Sequence, residues 1–139
     1  MNKNQYVGTA VFCGNSILLA KRIETYKGKP VSFGGYWSIF CGCVEEGEDP
    51  IEAAHRELYE ETKIIPQGIQ KIRFFRSFSG DDYDFSFHTL ELDELINPQL
   101  CFEHTEFGWF KINTLDSFDG KIDDQILYLI NMYNEERII

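Results

Sequence analysis

Residues 42–65 read GCVEEGEDPIEAAHRELYEETKII, and the fold turns on whether this acidic run is a solvated surface or a helix with a buried edge. Asp49 suits an N-cap, Pro50 suits the first helical position, and Glu52 completes a capping box. Beyond the cap, side chains advance by about 100° per residue. Ile51, Ala54 and Leu58 then share one stripe, which should face a sheet. Glu61 falls beside that stripe, Glu57 next to it and Glu60 further round. A solvated acidic face would lie opposite the apolar stripe; these three carboxylates follow its edge instead. Like charges at i,i+4, such as Glu57 and Glu61, oppose a helix by about 0.2–0.5 kcal/mol. A divalent cation reverses that sign, and oxygen-rich clusters suit Mg²⁺ or Mn²⁺. Arg56 can pair with Glu52 or Glu60 as an ordinary helix ion pair, or its planar fork can orient a neighbouring carboxylate.

Outward from this helix the chain reads mainly as strands. QYVGTAVFCGNSILLAKRI predicts two strands around a Gly14-Asn15 hairpin. ETYKGKPVSFGGYW, dense in Gly and Pro, predicts a loop. KIRFFRSFS and YDFSFHTLEL predict an antiparallel pair across Gly80-Asp81-Asp82, and FGWFKI a further strand. In KIDDQILYLINMYNEE, Ile126, Leu129, Ile130 and Tyr133 recur at helical spacing, so a terminal helix should pack on the sheet. Strands around one helix and before another predict an α/β domain with a mixed sheet between helices, one domain over residues 1–139.

The composition, 43% hydrophobic and 26% charged, is that of an ordinary globule. Thirteen Lys and Arg against 23 Asp and Glu give a net charge of -10. That argues against a nucleic-acid polymer, whose binding surfaces are basic, but allows a small phosphorylated ligand if a metal ion stands between the negative charges. Cys13, Cys41, Cys43 and Cys101 show no zinc-like pairing and are expected to be free thiols. No run approaches the ~20 apolar residues of a membrane span, and MNKNQYVGTA lacks a secretory apolar core. A cytoplasmic protein without a membrane partner is expected.

Gly42, Glu48 and the run Arg56-Glu57-Leu58-Tyr59-Glu60-Glu61, at fixed spacing, resemble the Nudix box of the MutT-like pyrophosphohydrolases, over the 23 residues from Gly42 to Ile64. LLAKR before the box and EHTEFGWF after it extend the resemblance. Two positions depart from the family pattern. Lys63 stands where the family usually has the Gly that closes the helix in a left-handed conformation. Phe40-Cys41-Gly42 stands where it often has Pro-Gly-Gly.

The resemblance implies the Nudix α/β/α sandwich. It also implies hydrolysis of a nucleoside diphosphate linked to another moiety, by water attack on phosphorus assisted by Mg²⁺ or Mn²⁺. Carried over by position, Glu57, Glu60 and Glu61 become metal ligands, with Glu48 a looser ligand or charge tuner and the backbone carbonyl of Cys41 completing the shell. Arg56 would orient Glu57. The general base is either Glu57 or Glu106, with Glu103 behind the latter. His88 and His104 are not needed by such a site and read as packing or solvated residues.

Arg22 is placed to approach a phosphate or base, and Tyr36, Trp37 and Phe40 to stack a nucleobase, although aromatics beside a strand more often serve a core. Asp81-Asp82-Tyr83-Asp84 is either a gate or a hydrophilic hairpin tip. The expected partner is a small phosphorylated nucleotide, with a homodimer left open. A Nudix-fold binding or regulatory module is the alternative, but such modules commonly lose carboxylates that this chain keeps. An isopentenyl diphosphate isomerase would want an active-site cysteine in a longer chain, for which Cys41 alone is thin support. RNA-end processing sits poorly with the negative charge.

Overall fold

In the computed structural model, which describes residues 3–137, Gly14 adopts φ 58°. That left-handed residue lets Gly14-Asn15 close a two-residue hairpin between β1 (Asn4–Cys13) and β2 (Ser16–Arg22), with Cys13 opposite Ser16. The chain continues through β3 (Thr25–Tyr26), β4 (Lys29–Pro30), β5 (Tyr36–Ser38), β6 (Phe40–Cys43) and α1 (Pro50–Thr62). It then forms β7 (Arg73–Ser79), β8 (Tyr83–Glu91), β9 (His104–Lys111), a 3-10 turn (Ile112–Ser117), β10 (Lys121–Ile122) and α2 (Asp124–Arg137).

β1 organises the sheet. One edge pairs in parallel with β8 from Asn4 to Phe12. The other edge is shared, with Tyr6–Thr9 pairing antiparallel to β6 and Val11–Cys13 to β2. β2 adds β9 and β5, β5 takes β10 in parallel, and β7 closes the far edge antiparallel to β8. The sheet is therefore mixed. The expected β7–β8 hairpin is present, and β9 begins at His104, earlier than FGWFKI suggested.

Alternation along the central strands sends side chains to two cores. Val7, Val11, Leu18, Ala20 and Phe40 meet Ala53, Ala54 and Leu58 of α1. Ala10, Phe12, Ile17, Leu19, Phe85 and Phe87 meet Ile126, Leu129 and Ile130 of α2. This is the α/β/α sandwich, with each helix covering one sheet face. Among the described residues, no helix is long and apolar enough to cross a membrane.

Two expectations need correction. Ile51 is 37% exposed; it lies in the first turn of α1, and Ala53 with Ala54 forms the contact in its place. Their small side chains let the helix close on β6 and β1. The stretch read as a loop holds the β3–β4 hairpin, turned by Lys27 (φ 51°) and Gly28 (φ 79°). Two positive φ values in succession are those of a tight primed turn.

The cap of α1 is as read. Asp49 accepts from the Glu52 backbone N–H at 2.9 Å, and the Asp49 backbone N–H donates to Glu52 at 3.0 Å. At the other end Lys63 takes φ 66°, ψ 12° and donates its N–H to the Tyr59 carbonyl. A left-handed non-glycine residue costs about 1–2 kcal/mol. Part of this is offset by the Lys63 ammonium, 4.8 Å from the centre of the Tyr59 ring. Lys63→Gly is expected to stabilise the protein by about 0.5–1 kcal/mol; a denaturant midpoint no higher than wild type would refute the strain.

Candidate active site

The box folds into a loop that returns along α1, and Arg56 ties the two together. Its Nε and Nη2 donate to the two oxygens of Glu48 at 2.8 and 3.0 Å, a bidentate fork. Nη2 also reaches the Cys43 carbonyl at 2.8 Å. Nη1 donates to Glu57 Oε1 at 2.9 Å and to Glu60 Oε1 at 3.3 Å. One guanidinium thus fixes the loop, the strand end and two helix carboxylates. Hydrogen bonds from Arg56 and from the Glu45 backbone hold the Glu48 carboxyl down at about 2. With both its oxygens on Arg56, Glu48 ties the loop to the helix.

Glu57 lies against Gly42. A Cβ built on Gly42 would fall 2.0 Å from Glu57 Cδ and 2.3 Å from both carboxylate oxygens. Gly42 is not in the left-handed region, so space alone demands glycine there. Burial raises the Glu57 carboxyl above its usual range, and Arg56 offsets part of that rise.

Glu61, one turn on, is 2% exposed. Its Oε2 has no hydrogen-bond partner, and Oε1 lies 3.8 Å from Nε2 of His104. Burial, with the negative charges of Glu57 and Glu103 nearby, pushes the Glu61 carboxyl up to about 10. Such a group is protonated at neutral pH unless a cation beside it repays the desolvation. An orphaned buried carboxylate oxygen beside a second desolvated carboxylate is a donor set that fits a hard divalent cation. Glu60 is more open, its side chain 55% exposed. Among the described residues no three acidic, thiol or imidazole side chains converge into a closed cage, and Arg56 draws Glu57 and Glu60 toward itself.

Cys41 sits on β6 opposite Gly8. Its thiol is pushed up out of reach of ionisation by burial and by the charge of Glu61, which leaves its backbone as the group able to serve the site. All four cysteines are free; Cys43 is exposed and the others are half-buried.

His104, read from the sequence as a packing or solvated residue, packs beside Glu61. It is 8% exposed, its ring meets Phe40 edge-on at 5.7 Å, and its Nδ1 is buried without a partner. Burial and the charge of Arg22 push it down to about 4, so the ring facing Glu61 is neutral. His88, 1% exposed, is a core residue on the α1 face.

The residues read as substrate contacts divide. Phe40 is 1% exposed within the α1 core, and Trp37 packs edge-on against Phe110 and Phe118 on the α2 side. Core contacts occupy their rings, so neither offers a stacking face. Tyr36 is half-buried against Phe33, with Lys121 over its ring. Arg22 donates Nε to the Ser32 carbonyl at 2.9 Å and pairs with Glu103 at 3.6 Å, close enough for its charge to act on Glu61. Glu106, the other candidate base, is exposed on β9 opposite Lys21. A cavity of about 280 Å³ lined by Lys71, Arg73, Glu91 and Tyr133 shares no residue with the carboxylate cluster.

Comparison with known proteins identifies the family and the fold. The NUDIX domain family matches residues 3–129. An RNA pyrophosphohydrolase of Bartonella clarridgeiae is 30% identical over 119 residues, covering 85% of this chain and 62% of that protein. A nucleoside triphosphate pyrophosphatase/Nudix hydrolase fusion protein of Bifidobacterium longum is 45% identical over 47 residues, 34% of this chain and 10% of that protein. The chain thus spans less than two thirds of either relative. Among solved structures, the MutT protein of Methanosarcina mazei Go1 shares the fold with a TM-score of 0.74 at 18% identity, covering 98% of this chain and 96% of that one. Matched over most of its length, the chain belongs to the NUDIX domain family.

Proposed function

We propose that the protein is a divalent-metal-dependent hydrolase of a phosphoric anhydride in a small nucleotide derivative. The observation that carries this reading is the pair Glu57 and Glu61, the first half-buried and packed on the bare Cα of Gly42, the second buried with an oxygen lacking any partner. Two desolvated carboxylates one helical turn apart destabilise the protein unless a cation joins them. Glu57 and Glu61 would hold Mg²⁺ or Mn²⁺, with Glu60 and the Cys41 carbonyl as further oxygen donors. The bound ion supplies charge neutralisation of phosphate oxygens and activation of water.

The chain's own residues have separate tasks. Arg56 fixes the direction of Glu57, and Glu48 fixes Arg56. In the hydrolytic step the water oxygen bonds to phosphorus as the bridging P–O bond breaks, and the leaving phosphate takes that electron pair. Glu57 is the preferred acceptor of the water's proton. It is desolvated, and only Oε1 is engaged by Arg56. Glu106 is the weaker candidate, because sheet pairing holds its backbone and its side chain is open to water.

A second reading, removal of pyrophosphate from an RNA 5′ end, is favoured by the likeness to the Bartonella enzyme across 85% of the chain. The net charge of -10 opposes it. The deciding experiment measures product release from nucleoside triphosphates, oxidised nucleotides, ADP-ribose, dinucleoside polyphosphates, nucleotide sugars and 5′-triphosphorylated RNA. Each is run with Mg²⁺, with Mn²⁺ and with EDTA. Cleavage of a small-nucleotide class, abolished by EDTA, is the expected result. Cleavage of RNA alone would replace the substrate, and tight nucleotide binding without cleavage would replace the hydrolase with a binding module.

A further inference from the structure

Beside the carboxylates lies a surface that the reaction has not used. Tyr26 and Phe102 are 43% and 64% exposed, and their rings pack on each other with centroids 5.1 Å apart at 45°. Single exposed aromatics are ordinary, whereas here two exposed rings pack on each other. The two come from separate segments. Tyr26 stands on the β3–β4 hairpin, and Phe102 on the approach to β9.

The pair adjoins the proposed site through a continuous set of contacts. Glu103, next after Phe102, accepts from the Ile23 N–H through its carbonyl at 2.8 Å and pairs with Arg22 through its carboxylate. His104, the residue after that, faces Glu61 at 3.8 Å. Two residues of chain span at most about 7 Å, so Phe102 borders the group that lies against Glu61.

The charge beside these rings is opposite to that of the molecule. Lys21, Arg22, Lys27 and Lys29 fall within nine residues, with Glu24 the one acid among them, in a chain of net charge -10. Lys27 places its ammonium 5.3 Å from the centre of the Tyr26 ring, and the exposed Lys29 is the register partner of Tyr26. Aromatic faces bordered by cations suit a ligand that is aromatic at one end and anionic at the other.

We propose that Phe102, buttressed by Tyr26, is the platform on which the base of a nucleotide stacks, with Lys27 and Lys29 neutralising phosphate beside it. The inference rests on the hydrolase reading above and deepens it, because it makes the aromatic base a recognised part of the substrate. A base on Phe102 directs the phosphates of the same molecule past Glu103 and His104 toward Glu61 and Glu57.

The test is calorimetric titration with two probes, α,β-methylene-ADP and tripolyphosphate, a phosphate chain that has no base. Alanine substitution of a stacking aromatic removes about 5- to 150-fold in affinity. Phe102→Ala and Tyr26→Ala are therefore expected to weaken methylene-ADP by about tenfold or more, while Phe102→Trp keeps wild-type affinity within about threefold. Neither alanine variant should change tripolyphosphate binding, which Lys27→Ala with Lys29→Ala should weaken. Both rings are exposed, so thermal midpoints serve as the folding control. Unchanged methylene-ADP affinity in the alanine variants, equal losses for both probes, or no wild-type binding of methylene-ADP would each overturn the platform. Turnover separates the two readings. Nucleotide cleavage with normal binding by the variants sinks the platform alone; base-dependent binding with no cleavage anywhere sinks the hydrolase alone.

Discussion

Glu57→Gln is expected to lower turnover by about 10²- to 10⁴-fold, the range for losing a positioned proton acceptor, with the fold intact. The amide keeps the shape of the carboxylate and so still fits against Gly42. It removes the negative charge that Arg56 orients and that a cation would need. Folding should not suffer, because the charge is desolvated and crowded by Glu60 in the native protein. Single-turnover rates at saturating Mg²⁺, beside thermal midpoints of both proteins, check this. A folded variant that turns over at the wild-type rate removes Glu57 from the role given to it.

Gly42→Ala probes the same site without touching a single charge. The added methyl would lie 2.0 Å from Glu57 Cδ, well inside van der Waals contact, so either the carboxylate swings out or β6 shifts. A displacement of about 1 Å at reacting groups can cost about 100-fold in rate, and a loss of that size is expected. Mn²⁺ affinity, read by electron paramagnetic resonance, should fall alongside it. Activity and Mn²⁺ binding both equal to wild type would show that the contact between Gly42 and Glu57 has no part in the chemistry.

What sequence made legible was the local and periodic part. Asp49, Pro50 and Glu52 lie within four residues of one another, so their cap could be read directly. The edge position of Glu57 and Glu61 follows from rotation about one helix axis. Ile51 went astray because periodicity assigns a face and says nothing of where the underlying sheet ends. Trp37 and Phe40 have the composition of a stacking surface, and only the pairing of β5 and β6 with their neighbours reveals that other side chains cover them. His104 and Glu61 meet across 43 positions of sequence, a contact with no local signature. The β3–β4 hairpin had a turn signal in Lys27-Gly28, but strands of two residues are too short to show alternation. Lys63 was legible because an αL position at a helix end has a backbone requirement of its own, which this chain meets with a lysine.

The placement of β1 carries a consequence for how the protein is made. Asn4–Cys13 is synthesised well before Tyr83–Glu91, yet one whole edge of it waits for that strand. At roughly 5–20 residues per second, a translating ribosome needs about 4–18 seconds to deliver that partner. During that interval Val7, Val11 and Phe12, which end with no more than 1% of their surface in contact with water, belong to a strand with an open border. The hairpin to β2 and the short pairing with β6 can form sooner and cover the opposite border. The nascent chain is therefore most exposed to wrong pairing, and to holdase chaperones, before its β7–β8 hairpin leaves the ribosome.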